Sequence, residues 1–312
     1  MNIEKLLPGV QRNILLKNYT TFKIGGKAKY FYIAKTKENL ILAIITAKKL
    51  KLPFFVLGGG SNLLISDKGF KGLIIKIQNS KLKIQKENSK FKIYCEAGVP
   101  LAKLVFESSE VGVAGLEWAT GIPGTIGGAI YGNAGWPSNK KNISSIVDFV
   151  DVLKIVDCKL QVVSYTNKDC RFGYRDSIFK NNKNLIILGV HLKLKKGSKK
   201  SIKKEIVDII KKRNGKIPAG FSAGSVFKNL VPEQSSVRGK LHPLSAGALV
   251  EKCGLKGKKI GNVKISEKHA NFIVNLGNGR ANDVKKLINL AKKSVKNKFG
   301  VTLEEEIQYL DF

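Results

Sequence analysis

Residues 115–135 read G-L-E-W-A-T-G-I-P-G-T-I-G-G-A-I-Y-G-N-A-G, and the fold turns on how this stretch is read. Gly121, Gly124, Gly127, Gly128, Gly132 and Gly135 punctuate it, and Pro123 stiffens its middle. Glycine admits positive φ and lets a ligand or a second backbone come close. The segment is too rich in glycine for a helix and too apolar for a flexible linker. It is expected to be backbone wrapped around something flat or anionic. Residues 54–65, F-F-V-L-G-G-G-S-N-L-L-I, ask for the same thing: an apolar strand runs into three glycines, then Ser61 and Asn62. Backbone amides in such a turn can converge on an anion. Neither the G-x-G-x-x-G fingerprint nor a Walker loop is present. A tight structural turn explains the second segment equally well on its own, but two such segments in one chain favour a bound dinucleotide.

The bulk numbers set limits on this reading. With 312 residues, 43% hydrophobic and 25% charged, the chain is expected to be a soluble globular protein of two or three domains. No signal peptide and no apolar run of bilayer length is read, which predicts a cytoplasmic location without membrane insertion. The cysteines Cys95, Cys158, Cys170 and Cys253 form no C-x-x-C pair, and the histidines His191, His242 and His269 are scattered. Buried reduced thiols are therefore expected, and no metal site. The formal net charge is +33. It could mark a nucleic-acid surface, but the lysines are spread over the whole chain and no stripe interleaves them with aromatics. Lysine-rich composition is the simpler explanation, and no nucleic-acid partner is expected.

Periodicity organises the chain. Residues 29–34 and 54–57 read as strands flanking a helix with Leu40, Ile41, Ile44, Ile45 and Leu50 on one face. Short strands are predicted at 73–77, 82–85 and 91–95, and a helix from Pro100 to about Glu110. Residues 147–156 and 160–165 read as a hairpin, 185–194 as a strand and 201–213 as a helix. The last third reads as α+β: a strand at 224–228, a helix at 244–253, a strand at 272–275, a helix at 282–299 closed by Gly300, and a final strand over 301–310.

Three further motifs carry chemistry. In F-G-Y-R-D-S-I-F-K (172–180), Arg175 offers a fork suited to a carboxylate or phosphate, or a structural pair with Asp176. In S-A-G-S-V-F-K-N (222–229), Ser225 follows a glycine at the start of a strand and can present its hydroxyl, or is an ordinary turn residue. In V-T-L-E-E-E-I-Q-Y-L (301–310), strand alternation sets Glu304 and Glu306 on one face and Glu305 on the other with Leu303 and Ile307. A buried glutamate there needs a partner or a function.

The ordered set T-T-F-K-I-G-G (20–26), L-G-G-G-S-N-L-L-I-S-D (57–67), the 115–135 stretch, Y-R-D-S (174–177), A-G-S-V-F-K-N (223–229), K-H-A-N-F-I-V-N (268–275) and L-E-E-E-I (303–307) resembles the UDP-N-acetylenolpyruvoylglucosamine reductase family over nearly the whole chain. The resemblance implies an α+β protein with vanillyl-alcohol-oxidase-like (PCMH-type) FAD-binding domains, expected at 1–80 and 81–197. An α+β substrate-binding domain would follow at 198–312, its C-terminal strand returning to the active site. It implies non-covalent FAD, NADPH as co-substrate, an enolpyruvyl UDP-sugar as substrate, and a monomer. The carried-over catalytic residues are Arg175, Ser225 and Glu306. Ile24, Gly25, Gly58, Gly59, Gly60, Ser61, Asn62, Gly121, Ile122, Pro123, Gly124, Thr125 and Gly127 are implied at the cofactor, and Tyr174, Lys216 and Asn229 at the substrate. The chain departs from the family pattern at Lys27 and Leu230, where proline is usual, and at Gln308, where arginine is usual. The stretch 231–245 is longer than expected and is read as an extra surface loop. Between Arg175 and Ser225 there is no tyrosine and little free loop, so the subclass without a lid over the substrate is expected. Another flavin oxidase or dehydrogenase of the same fold is the second enzyme reading, and a basic nucleic-acid-binding protein the third.

Overall fold

Thr36 accepts the amide of Asn39 and so starts the helix Lys37–Lys49, in which Leu40, Ala43, Ile44 and Ala47 are buried at helical spacing. Ile45, expected on that face, is 45% exposed, whereas the small Ala43 and Ala47 are buried. The computed structural model describes residues 2–88, 90–136, 141–156, 159–230, 236–237, 240–241 and 245–312. The chain continues from the helix into the strand Phe54–Leu57, which runs parallel to Phe70–Ile77 with Leu57 opposite Lys76. The sheet order is Gln11–Leu15, Lys27–Ala34, Phe70–Ile77, Phe54–Leu57.

The hairpin read at 147–165 forms as Val147–Val156 with Lys159–Thr166 and begins a second, antiparallel sheet. Its order continues through Leu185–Lys196, Lys90–Glu96 and Leu82–Glu87, with Val113–Ala114 also paired to Leu185–Lys196. Leu101–Glu110 is helical directly after Pro100.

The glycine-rich stretch corrects one expectation. Residues Ile126–Tyr131 are α-helical, and the Thr125 hydroxyl receives the amide of Gly128. Ile126, Ala129 and Ile130 are buried, so apolar spacing prevails over glycine content. Gly127 permits this contact: a Cβ there would lie 2.9 Å from Ala97.

The described residues form two compact units. One comprises residues 1–12, 30–59 and 72–213; the other comprises 13–29, 60–71 and 214–312. The helix read at 201–213 extends over Lys199–Lys216. In the second unit the helix Ala281–Phe299 buries Val284, Leu287, Ile288, Ala291 and Val295. Full burial of each of the larger of these side chains contributes roughly 1.5–3 kcal/mol. The Asp67 carboxylate accepts the amides of Ala281 (2.9 Å) and Asn282 (3.3 Å) at the helix start, and Gly300 closes it in the left-handed region at φ 74°.

Two predicted strands are corrected. Residues 301–310 do not form one strand: Glu305 makes a single bridge to Phe227, and only Gln308–Leu310 pairs as a strand, parallel to Leu63–Ile65. Residues 224–228 likewise make isolated bridges rather than a ladder. The chain changes partner after one or two residues in both places, which period-two alternation cannot show. Cys95 and Cys170 are buried free thiols and Cys253 is half-buried; burial raises the Cys170 thiol to about 12 and raises Cys95 further still. Cys158 and most of the 231–245 stretch lie outside the described residues, within which Ser236–Val237 pairs antiparallel with Lys240–Leu241.

Candidate active site

In the first unit the two glycine segments meet backbone to backbone. A Cβ on Gly59 would stand 2.5 Å from the Gly124 Cα, and one on Gly58 would stand 2.7 Å from the Thr125 hydroxyl oxygen. Only glycine allows that approach. The amides of Gly59, Gly124 and Thr125 make no hydrogen bond among the described residues. Free amides on touching glycine backbones suit an anionic group such as a diphosphate. Pro100 and Thr125 form a bridge in which Leu101 donates to Gly124 and Ile126 donates to Val99, holding this corner in place. Gly121 lies against Arg213, whose guanidinium stacks over Trp136 at 5.3 Å and whose buried Nε finds no acceptor among the described residues. Arg213 was not singled out from the sequence, because it sits in a lysine-rich helix that reads as a solvated face.

The end of the glycine-rich stretch supports the Arg175 turn. Gly173 and Asp176 exchange backbone hydrogen bonds, 3.0 and 3.3 Å, around Tyr174 and Arg175. Asn133 Nδ2 donates to the Gly173 carbonyl at 2.8 Å, and the Ser177 hydroxyl donates to the Tyr131 carbonyl at 2.7 Å. Arg175 is held at φ 56°, a conformation rarely adopted by a bulky residue and stored only where the surroundings enforce it. Its guanidinium lies 5.8 Å from the Tyr174 ring centroid, and its carbonyl accepts from Lys180 Nζ. The Asp176 carboxylate receives Asn181 Nδ2 at 3.3 Å. Ile122, Pro123, Gly127 and Tyr174 also belong to this unit.

In the second unit, Ser225 and Glu306 lie on segments that hydrogen-bond to each other. Glu306 donates its amide to the Val226 carbonyl at 2.8 Å, and Lys228 donates to the Glu304 carbonyl at 2.8 Å. Gly224, at φ 78°, turns the chain immediately before Ser225. The organiser is Asn271, 3% exposed, which the sequence offered only as one letter of a motif. Its side chain replaces a β-strand: Oδ1 accepts the Phe227 amide (2.9 Å) and Nδ2 donates to the Phe227 carbonyl (2.8 Å). Its carbonyl also accepts the amide of Val226 at 2.8 Å.

The three glutamates differ in their surroundings. Glu304 pairs with Lys228 at 2.6 Å near solvent. Glu305, between buried Leu303 and Ile307 in sequence, is compensated by Lys292 at 2.7 Å and by the Tyr309 hydroxyl. Burial and that carboxylate push the Tyr309 phenol well above its ordinary value. Glu306 is half-buried, and its carbonyl accepts Asn62 Nδ2 at 3.0 Å, while Asn62 accepts the Gln308 amide through its own carbonyl. Asn62, read as a cofactor residue, thus also braces the Glu306 segment. Ser61, Gly60, Ile24 and Gly25 belong to this unit; Ile24 is buried, and a Cβ on Gly25 would stand 2.9 Å from Ile65. Asn229 Oδ1 accepts the Ala246 amide at 3.2 Å, and Lys216 is exposed at the end of its helix.

Comparison with known proteins fits this arrangement. Residues 28–164 match the FAD binding domain family, and residues 217–310 match the C-terminal domain of UDP-N-acetylenolpyruvoylglucosamine reductase. The chain is 41% identical over 299 residues to the UDP-N-acetylenolpyruvoylglucosamine reductase of Caldicellulosiruptor bescii, an alignment covering 95% of this chain and 88% of that one. The chain belongs to the UDP-N-acetylenolpyruvoylglucosamine reductase family. The reductase of Thermotoga maritima is 40% identical, with 94% of this chain and 96% of that one covered. The crystal structure of the family member from Thermus caldophilus superposes with a TM-score of 0.77 at 34% identity, covering 97% of this chain and 99% of that one. The expected fold class, PCMH-type FAD-binding domains followed by an α+β domain, stands on these matches. Gln308, two residues after Glu306, donates from its side chain to the Glu306 carbonyl at 3.3 Å.

Proposed function

We infer that this protein reduces the enolpyruvyl group of UDP-N-acetyl-3-O-(1-carboxyvinyl)-glucosamine to give UDP-N-acetylmuramate, a peptidoglycan precursor, using NADPH and FAD. The single observation that carries the reading is the match to this family over nearly the full chain, with the Arg175, Ser225 and Glu306 motifs in place. The amides of Gly59, Gly124 and Thr125, which make no hydrogen bond among the described residues and lie on touching backbones, fit the FAD diphosphate. Bound FAD would supply the hydride for the reduction, having received it from NADPH.

The protein's own residues handle charge and protons. Hydride addition at the terminal vinyl carbon places negative charge on the carbon beside the carboxylate, as an enolate. Arg175, fixed in its turn by Asn133 and Ser177, would hold that carboxylate through a bidentate fork. Ser225 would give its hydroxyl proton to the enolate carbon, completing the C–H bond; a positioned donor at a developing charge is worth several kcal/mol. Glu306 would stabilise the enol or assist the return of a proton to Ser225. Tyr174, Lys216 and Asn229 would bind the substrate's sugar and anionic groups. Gly58, Gly59, Gly60, Ser61, Asn62, Gly121, Ile122, Pro123, Gly124, Thr125 and Gly127, with Ile24 and Gly25, would line the cofactor.

In this reading residues 1–80 and 81–197 serve FAD, residues 198–312 serve the substrate, and the protein works as a monomer in the cytoplasm. Helices and strands occupy most of the interval from Arg175 to Ser225, namely Ile178–Asn181, Leu185–Lys196 and Lys199–Lys216, which supports the lidless subclass. The test is a spectrum and a turnover assay. Purified protein should show visible flavin bands that NADPH bleaches, and should turn NADPH over continuously only when the enolpyruvyl UDP-sugar is added. A colourless protein that takes up no FAD refutes the reading.

A further inference from the structure

Lys76 was not singled out from the sequence, yet it stands at the cofactor cradle. The parallel register of Phe54–Leu57 with Phe70–Ile77 sets Lys76 opposite Leu57, the last strand residue before the glycines. Its ammonium donates to the Gly58 carbonyl. No carboxylate pairs with it among the described residues. Burial lowers its pKa, the sign of an ammonium short of counter-charge.

The peptide geometry extends the argument. A trans peptide is planar, with C=O and N–H pointing in opposite directions. Fixing the Gly58 carbonyl on Lys76 therefore turns the Gly59 amide away from Lys76. That amide is one of the three without an acceptor where Gly59 touches Gly124.

We propose that Lys76 is a positioning residue for the FAD diphosphate: its charged hydrogen bond to the Gly58 carbonyl orients the Gly58–Gly59 peptide so that the Gly59 amide meets the anion. The proposal rests on the FAD reading above. It assigns Lys76 to FAD rather than to the diphosphate of NADPH, because Lys76 is fixed on the glycine corner that the FAD-binding domain match includes.

The experiment follows FAD release from the holoprotein by flavin fluorescence, in the wild type, Lys76→Met, Lys76→Gln and Lys76→Arg. Dissociation constants of ADP and adenosine come from their displacement of FAD. A charged hydrogen bond of ordinary strength predicts that Lys76→Met weakens FAD about ten- to hundredfold. ADP should weaken by a similar factor and adenosine should not, since it lacks the diphosphate. Lys76→Gln keeps a donor for Gly58 but no charge and should lose part of the affinity, while Lys76→Arg recovers most of it. At saturating FAD, the NADPH concentration that half-saturates flavin reduction should not move. Unchanged FAD affinity in Lys76→Met and Lys76→Gln overturns the proposal, as does an equal loss for adenosine or a shift confined to NADPH. If the wild type itself binds no FAD, the functional reading falls and the proposal falls with it; the other failures leave that reading intact.

Discussion

Asn271→Ala separates the scaffold beneath Ser225 from the chemistry above it. Asn271 is buried and satisfies both backbone groups of Phe227 through its side chain, at 2.9 and 2.8 Å. Truncation leaves a buried N–H and a buried C=O without partners. Each such group costs about 1–3 kcal/mol, so the expected destabilisation is about 2–6 kcal/mol. At a urea dependence of about 3 kcal/mol/M this lowers the denaturation midpoint by about 0.7–2 M. The backbone bonds from Val226 to Asn271 and from Glu306 to Val226 remain, so the segment should stay folded but loosen.

The loosening has a kinetic signature. Ser225 lies two residues before Phe227, and a displacement of about 1 Å at a reacting group can cost about a hundredfold in rate. Reoxidation of reduced enzyme by the enolpyruvyl sugar should slow about ten- to hundredfold, while flavin reduction by NADPH keeps its wild-type rate. Stopped-flow absorbance resolves the two halves. A midpoint shift worth less than about 1 kcal/mol would show that Phe227 finds other partners. An equal slowing of both half-reactions would show that Asn271 does not act through Ser225.

How much of this was legible in sequence depends on the range of each interaction. The 147–166 hairpin and the 281–299 helix follow from local periodicity, because one face of each meets a core. The helix at 126–131 was missed because glycine lowers helix propensity, and burial of Ile126, Ala129 and Ile130 outweighs that cost. The strand expected at 301–310 broke up because its hydrogen bonds go to Val226, Asn62 and the strand Leu63–Ile65, and no local pattern reports that. The candidate catalytic residues were found through motif resemblance. Their supports were not: Asn271, Asn133 and Lys76 act through one or two side-chain hydrogen bonds to backbone distant in sequence, which leave no periodic trace.

Four further outcomes are expected. Ser225→Ala should leave flavin reduction by NADPH intact and slow reoxidation by the sugar about two to four orders of magnitude, the size of a general-acid contribution; equal loss in both steps makes the residue structural. Arg175→Lys should reduce turnover with FAD content unchanged, because a point charge lacks the fork, and near wild-type turnover removes Arg175 from the mechanism. Asp67→Ala removes the acceptor for the Ala281 and Asn282 amides and should lower stability by about 0.5–2 kcal/mol in urea denaturation, with no loss counting against the capping role. The last outcome concerns pH. His269 is held below its ordinary pKa chiefly by burial, and its Nδ1 accepts the Asn271 amide at 3.2 Å, which requires the neutral ring. The folded state therefore binds fewer protons than the unfolded state below the ordinary histidine value of about 6.5, and stability must rise with pH across that window. The contribution is fully present above the unfolded pKa and is lost as pH falls through the lowered folded one. His269→Asn, which can still accept at that position but does not titrate, should flatten the decline in urea midpoint below about pH 6.5; parallel declines in the two proteins would show that His269 charges without resistance from the fold.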